Sequence, residues 1–135
     1  MARLRSDIWV AAYLRTCEIA GGSAVLRRRG AAEAGAIYIK IDLLQGDCRL
    51  LGPAPPGLDD EDIGRRRFAP VRDVKTMPVA DAEDRIRREL NFDSDLWLIE
   101  VEDRAFEGSI EKRLSSLIIS RRFLEQFIIG NDARS

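Results

Sequence analysis

The stretch AIYIKIDLL, residues 36–44, constrains this chain more than any other of its length. Ile37, Ile39, Ile41 and Leu43 alternate with Tyr38, Lys40, Asp42 and Leu44. A period of two sends the first set to one side of a strand and the second to the other. One side is apolar and the other is mostly polar. QGD, residues 45–47, is a tight-turn signal, and CRLLG, residues 48–52, returns as a strand. The chain therefore carries an antiparallel hairpin whose apolar side must be covered by something else.

Candidates for that cover lie on either side. Trp9, Val10, Tyr13, Leu14 and Cys17 recur at helical spacing, which predicts a helix over 6–20. Ser6 or Asp7 is its expected cap, and Gly21 and Gly22 end it. AVLRRR, residues 24–29, reads as a first strand, followed by the loop GAAEAG. Residues 53–62 hold three prolines and four acids and read as a loop; Phe68 marks a short edge strand, with Pro70 against a central place. A second helix over 82–90 has Asp81 as cap and a thin stripe of Ala82, Ile86 and Leu90, with Glu83 facing Arg87 and Asp84 facing Arg88. DLWLIEVEDR, residues 95–104, gives a strand over 96–102. Trp97, Ile99 and Val101 fall on one side and Leu96, Leu98, Glu100 and Glu102 on the other.

The last segment, residues 109–129, has the length of a helix between Ser109 and Gly130. Ile110, Leu114, Leu117, Leu124 and Ile128 make one apolar stripe, and Ile119, Phe123 and Phe127 make another. A helix apolar on two sides is normally covered on both, so the second stripe is a candidate interaction face for a partner or a second copy.

These elements predict an α+β fold. An antiparallel sheet of four or five strands carries the helices at 6–20 and 82–90 on one face, with a third C-terminal helix beside them. Residues 1–104 form a single α+β domain, and 105–135 are a helical extension packing on that domain or on a partner. The length of 135 residues fits one domain with a genuine core.

Composition narrows the function classes. There is no histidine. That removes Ser-His-Asp and Cys-His catalysis and histidine-ligated zinc. Cys17 and Cys48 form no C-x-x-C pair and read as buried thiols of a reducing compartment. The net charge of -1 lacks the basic excess of a typical nucleic-acid binder. Only Lys40, Lys75 and Lys112 are lysine, so arginine supplies nearly all the positive charge. GC-rich coding is the simplest account of that bias. Asp7 and Arg15 interrupt the first apolar stretch, so it is not a signal peptide, and no run is long enough to span a membrane. A cytoplasmic location is expected.

Three stretches resemble a known family when taken together: RLRSDIWVAAYLR at 3–15, RRRGAAEAGAIYIKID at 27–42, and FDSDLWLIEVEDR at 92–104. The family is domain of unknown function 1491, short proteins of alphaproteobacteria. Its recurring features fall here on Arg5, Asp7 and Trp9, on Arg29, Gly30, Glu33 and Gly35, and on Asp95, Trp97, Glu100, Glu102, Asp103 and Arg104. The resemblance spans residues 3–104 and implies no activity, substrate or partner. Residues 105–135 depart from the pattern.

Arg29, Glu33, Trp97, Glu100, Glu102, Asp103 and Arg104 are therefore the candidate surface site. Glu100 and Glu102 leave the same side of a strand, and paired carboxylates can hold a cation or divide acid and base roles. Asp42, Glu33 or Asp103 would have to complete such a site. The simpler reading pairs these acids with Arg27 or Arg29 on a neighbouring strand. RRRGAAEAG lacks the order of a phosphate loop. The arginine clusters 27–29, 65–67 and 85–88 favour nucleic acid only if folding gathers them, with Tyr38 or Phe68 to stack a base. No catalytic residue, metal site or cofactor is assigned. The leading reading is a non-enzymatic module that binds an unidentified protein or itself as a homodimer. Nucleic-acid binding, and a carboxylate- and metal-dependent enzyme on a phosphate-containing substrate, are the alternatives.

Overall fold

The computed structural model describes residues 4–54, 61–63 and 66–102. In chain order the described elements are α1 (Ser6–Ile19), β1 (Ser23–Arg28), β2 (Ile37–Asp42), β3 (Asp47–Pro53), β4 (Glu61–Ile63), β5 (Arg66–Pro70), β6 (Met77–Pro78), α2 (Val79–Phe92) and β7 (Trp97–Glu102). A 3-10 turn, Val71–Asp73, links β5 to β6. The expected third helix, 109–129, lies outside the described residues.

The strands form one sheet in the order β1-β7-β2-β3-β5-β4, with β6 also pairing β3. The hairpin read from the alternation is present: β2 and β3 are antiparallel, Asp42 opposite Cys48 and Ile39 opposite Leu51. The sheet as a whole is mixed, which corrects the antiparallel expectation. β7 lies between β1 and β2, antiparallel to the first and parallel to the second. A parallel neighbour needs a long crossover, and the chain between β2 and β7 supplies it, with α2 as its last part. β4 also corrects the reading of 53–62 as loop throughout, because Glu61–Ile63 pair with β5. β5 is thus second from the edge rather than an edge strand, and Pro70 is tolerated because it closes the strand.

The two helices cover opposite faces of the sheet, not one. Trp9, Val10, Tyr13 and Cys17 of α1 pack with Ile37, Ile39, Ile41, Trp97, Ile99 and Val101. Those sheet residues are register partners, Ile37 with Trp97, Ile39 with Ile99 and Ile41 with Val101, so they form paired rows under α1. The Trp9 and Tyr13 rings stack with centroids 5.0 Å apart, and Phe68 meets Trp9 at 5.3 Å. On the other face, Ala82 and Ile86 of α2 pack with Cys48, Leu50, Leu96 and Leu98. Cover on both faces explains the unbroken apolar run Leu96–Ile99, since a central strand with two covered faces needs no polar side.

Helix ends follow local chemistry. Gly21 adopts φ +81, and the Gly21 and Gly22 N–H groups donate to the Glu18 and Cys17 carbonyls, a Schellman end to α1. α2 begins at Val79, earlier than the stripe suggested, with Pro78 as N-cap and Asp81 inside the first turn.

Truncating Ile99, fully buried on β7, should cost about 2–5 kcal/mol as Ile99→Ala. Val25→Ala on β1, where the side chain is 56% exposed, should change stability by about 0.5 kcal/mol or less. Urea unfolding of both variants checks the difference.

Candidate functional site

The start of β7, the loop 29–36 and the first turn of α1 are joined by backbone hydrogen bonds. Ala31 N–H donates to the Asp95 carbonyl, and Trp97 N–H donates to the Ala36 carbonyl. The Trp97 indole Nε1–H donates to the Ala31 carbonyl at 2.8 Å. The same loop then caps α1. Ser6 and Asp7 N–H donate to the carbonyls of Glu33 and Ala32, and Ser6 Oγ donates to the Gly35 carbonyl at 2.6 Å. The expected cap by a Ser6 or Asp7 side chain is thus replaced by loop carbonyls at the first two positions. The Asp7 carboxylate accepts from the Ile8 N–H, one residue on, and from the Arg5 side chain, rather than from a backbone N–H two or three residues on.

Two glycines make this closure possible. A Cβ on Gly30 would stand 2.1 Å from the Asp95 carbonyl oxygen, and one on Gly35 would stand 2.3 Å from the same atom. The obstacle is backbone, so no rotamer change could make room. Arg29 lies over the Trp97 ring, 5.3 Å from its centroid. Arg5 bonds Asp7 at 3.2 Å and holds its carboxyl below the usual range, with Arg29 adding to the effect. All three stretches of the resemblance meet here. The N–H groups at the start of α1 are occupied by the loop's carbonyls, so the helix end is sealed rather than presented to a ligand.

A second cluster sits on the opposite face, under α2. Arg27 bonds Glu83 through both terminal nitrogens, at 2.7 and 2.8 Å, and Glu100 at 3.0 Å. Lys40 lies 2.7 Å from Glu83 and 3.2 Å from Glu100. Two cations and two carboxylates make a closed ring, and Lys40 is almost completely buried within it. The Arg27 hydrogen bonds, with Lys40, pull the Glu83 carboxyl down to about 2, against the effect of its own burial. Burial acts to lower the Lys40 pKa, yet its two carboxylate partners outweigh burial and leave it raised. A bulge in β1 between Leu26 and Arg28 sets Arg27 outside the regular ladder, at the ring.

The sequence-derived site residues therefore divide between two faces. Arg29 and Trp97 come together on the α1 side, with the Glu33 backbone beside them while its side chain is exposed. Glu100 joins the ionic ring on the α2 side, and Glu102 stands opposite Asp42 and Ser23 in the ladder. Asp103 and Arg104, and the interaction-face residues Ile119, Phe123 and Phe127, lie outside the described residues. Asp42, a suggested third ligand, instead accepts the Leu44 N–H at 2.8 Å in the β2–β3 turn. Among the described residues no group of three or more acids and cysteines is placed to hold a metal ion.

Lys40 and Glu83 are not among the site residues the sequence points to. Glu83 was assigned to Arg87 on its own helix; Arg87 bonds Asp84 instead, and Arg85 bonds Glu89 at 2.7 Å. The available signal was Lys40 itself, the one cation on the polar side of the β2 alternation, between Tyr38 and Asp42. The arginines are largely engaged in the same way: Arg28 donates to the Ser94 carbonyl, and Arg66 donates to the Leu4 carbonyl and Ser6 Oγ. Both thiols are buried, and burial pushes Cys17 to about 12 and Cys48 to about 11, so neither is a ready nucleophile.

A small α+β protein with a mixed, two-faced sheet and a glycine-dependent loop closure is the class this geometry defines. The chain belongs to the family described as protein of unknown function, DUF1491, whose profile matches residues 4–111. Solved relatives share the fold. A protein from A. tumefaciens, known from its solution structure, is 39% identical, with a TM-score of 0.63 over 81% of this chain and 92% of that one. A DUF1491 family protein from Caulobacter crescentus CB15, known from its crystal structure, is 33% identical, with a TM-score of 0.63 over 77% and 92%. No curated protein matches the chain. No described helix is long and apolar enough to cross a membrane.

The ionic ring has a pH signature. Glu83 has a lower pKa folded than its usual 4.5, so its stabilisation is complete above about 4.5 and is lost as pH falls towards about 2. Glu83→Gln should cost about 1–3 kcal/mol at pH 7 and progressively less on acidification. Urea unfolding at a series of pH values would show the wild-type and variant curves converging in acid.

Proposed function

We propose that this chain is a non-catalytic module that binds another protein, a second copy of itself included, along the outer edge of β1. One observation carries the reading: four of the seven large apolar side chains exposed among the described residues, Ile8, Ile19, Val25 and Leu26, lie on α1 and β1. Single exposed apolar residues are ordinary, but Val25 and Leu26 are consecutive and flank the same open strand edge from its two faces. β1 is also the end strand of the sheet, and no described strand pairs with its outer edge. Such an edge offers a row of backbone donors and acceptors to an extended partner segment, with Val25 and Leu26 as side-chain anchors. The closed ionic ring supports the non-catalytic part. Glu100 and Glu83 are each engaged by both Arg27 and Lys40, so a substrate or metal would have to compete with two cations for either carboxylate.

The test is purification of the tagged chain with nuclease treatment, for wild type, for Val25→Lys with Leu26→Lys, and for Phe92→Lys. Phe92 is the exposed apolar residue at the far end of α2 and serves as control. A stoichiometric partner, or a dimer by light scattering, should be present in wild type and Phe92→Lys and lost in the β1 variant. Nucleic acid in place of protein, or a partner indifferent to the β1 substitutions, contradicts the reading.

A further inference from the structure

Given the docking role of the β1 edge, on which this rests, we infer that the partner is a second copy of this chain, joined about a two-fold axis beside Val25. The two β1 strands pair antiparallel, the two sheets become one, and the two α1 helices lie side by side in opposite directions. A two-fold interface uses one patch twice, so complementary features must stand at matching distances on either side of the axis. The strand layer meets this condition. Leu26 stands opposite Ile99 in the ladder and shares the α1 face; Val25, opposite Glu100, shares the α2 face. Paired about Val25, each Val25 meets its own counterpart, and each Leu26 meets Ala24 of the other copy on the α1 face. A bulge between Leu26 and Arg28 interrupts the strand, so this centre keeps most of the new ladder within the regular part, residues 23–26.

The helix layer meets it at the same axis. Gly21 and Gly22 turn α1 straight into β1, and α1 runs back over that strand. From Ser23 to Val25 the strand advances about 7 Å, a distance that roughly four to five residues of helix cover. Counted back from Ile19, the end of α1, that sets Leu14 and Arg15 over Val25. Ala11, Leu14, Arg15 and Glu18 line a hollow of about 510 Å³ together with Gly22, Ser23 and Ala24. Its lining mixes small and apolar side chains with both signs of charge. Ala11 and Glu18 stand about one helical turn to either side of the axis. The two-fold therefore sets each Glu18 against Ala11 of the other copy, whose small side chain leaves room, and within reach of that copy's Arg15. The Arg15–Glu18 pair inside one chain is loose, 4.0 Å apart with side chains 59% and 76% exposed, so both are free to turn across the axis. An unrelated partner would have to supply an extended edge, an apolar pair and both charges in this order; the chain itself already carries them.

Sedimentation equilibrium of the purified full-length chain tests this. A dimer is expected for wild type and for Phe92→Lys. Arg15→Glu and Glu18→Arg, each alone, set like charges across the axis and should weaken the dimer about tenfold or more. Combining Arg15→Glu with Glu18→Arg restores opposite signs and should recover the wild-type affinity. Single variants that dimerise as wild type does, or losses that the combination does not recover, overturn the two-fold pairing. Val25→Cys should form a disulfide-linked dimer under mild oxidation faster than Phe92→Cys, because directly opposed Cβ atoms lie about 5 Å apart. Cys17 and Cys48 are fully buried and do not compete. Equal rates count against the axis at Val25 and overturn it. A monomer that captures a different protein, lost with Val25→Lys and Leu26→Lys, overturns the second copy and leaves the docking edge standing. A monomer or dimer whose contacts are indifferent to those two substitutions overturns both.

Discussion

β7 can lie between β1 and β2 only because the loop 29–36 passes over its first residues at van der Waals distance. Gly30 and Gly35 both face the Asp95 carbonyl, where a Cβ would fall at 2.1 and 2.3 Å. That approach lets the loop donate to and accept from Asp95, Leu96's neighbour Trp97 and the first turn of α1 at once. The loop thereby sets where β2 starts relative to β7, and a parallel pair has no tight turn of its own to fix that register. The rows of Ile37 with Trp97 and Ile39 with Ile99, on which α1 rests, follow from it.

The two faces are then held by different physics. α1 is anchored by stacked aromatic rings and a fully apolar floor. α2 has a thinner apolar contribution, Ala82 and Ile86, and supplements it with Glu83 in the ring of Arg27, Lys40 and Glu100. A ring like this is weak evidence for added stability over an apolar replacement, but each charge within it depends on the others. Its better attested use is to specify one arrangement, here the seat of α2 across three strands, β1, β2 and β7.

The hairpin, α1 with its glycine end, and the β7 strand were all legible because each rests on a local period or a local cap. The sense of the sheet was not, because nothing within β2 or β7 records their relative direction. The run Leu96–Ile99 did carry a clue, since four consecutive apolar residues imply cover on both faces, and so helices on both. Among the candidate site residues, Arg29 and Trp97 fall in one group through the family resemblance, and their direct contact is visible only in the fold. Glu83 was assigned to a partner one helical turn away because local spacing is visible in a sequence, whereas Arg27 and Lys40 reach it through the tertiary structure. Arg27 shows a further limit: a bulge changes the aim of a side chain without changing the composition of the strand.

The central claim, that the glycine-dependent closure of 29–36 sets the placement of β7, is tested most directly by hydrogen exchange of Gly30→Ala against wild type. In wild type the Trp97 indole N–H, bonded to the Ala31 carbonyl, should exchange slowly together with the β2 and β7 amides. The variant should lose that protection at Trp97 and along the β2–β7 ladder while the β2–β3 hairpin keeps more of its own. A Gly30→Ala chain with unchanged indole and ladder protection would contradict the account.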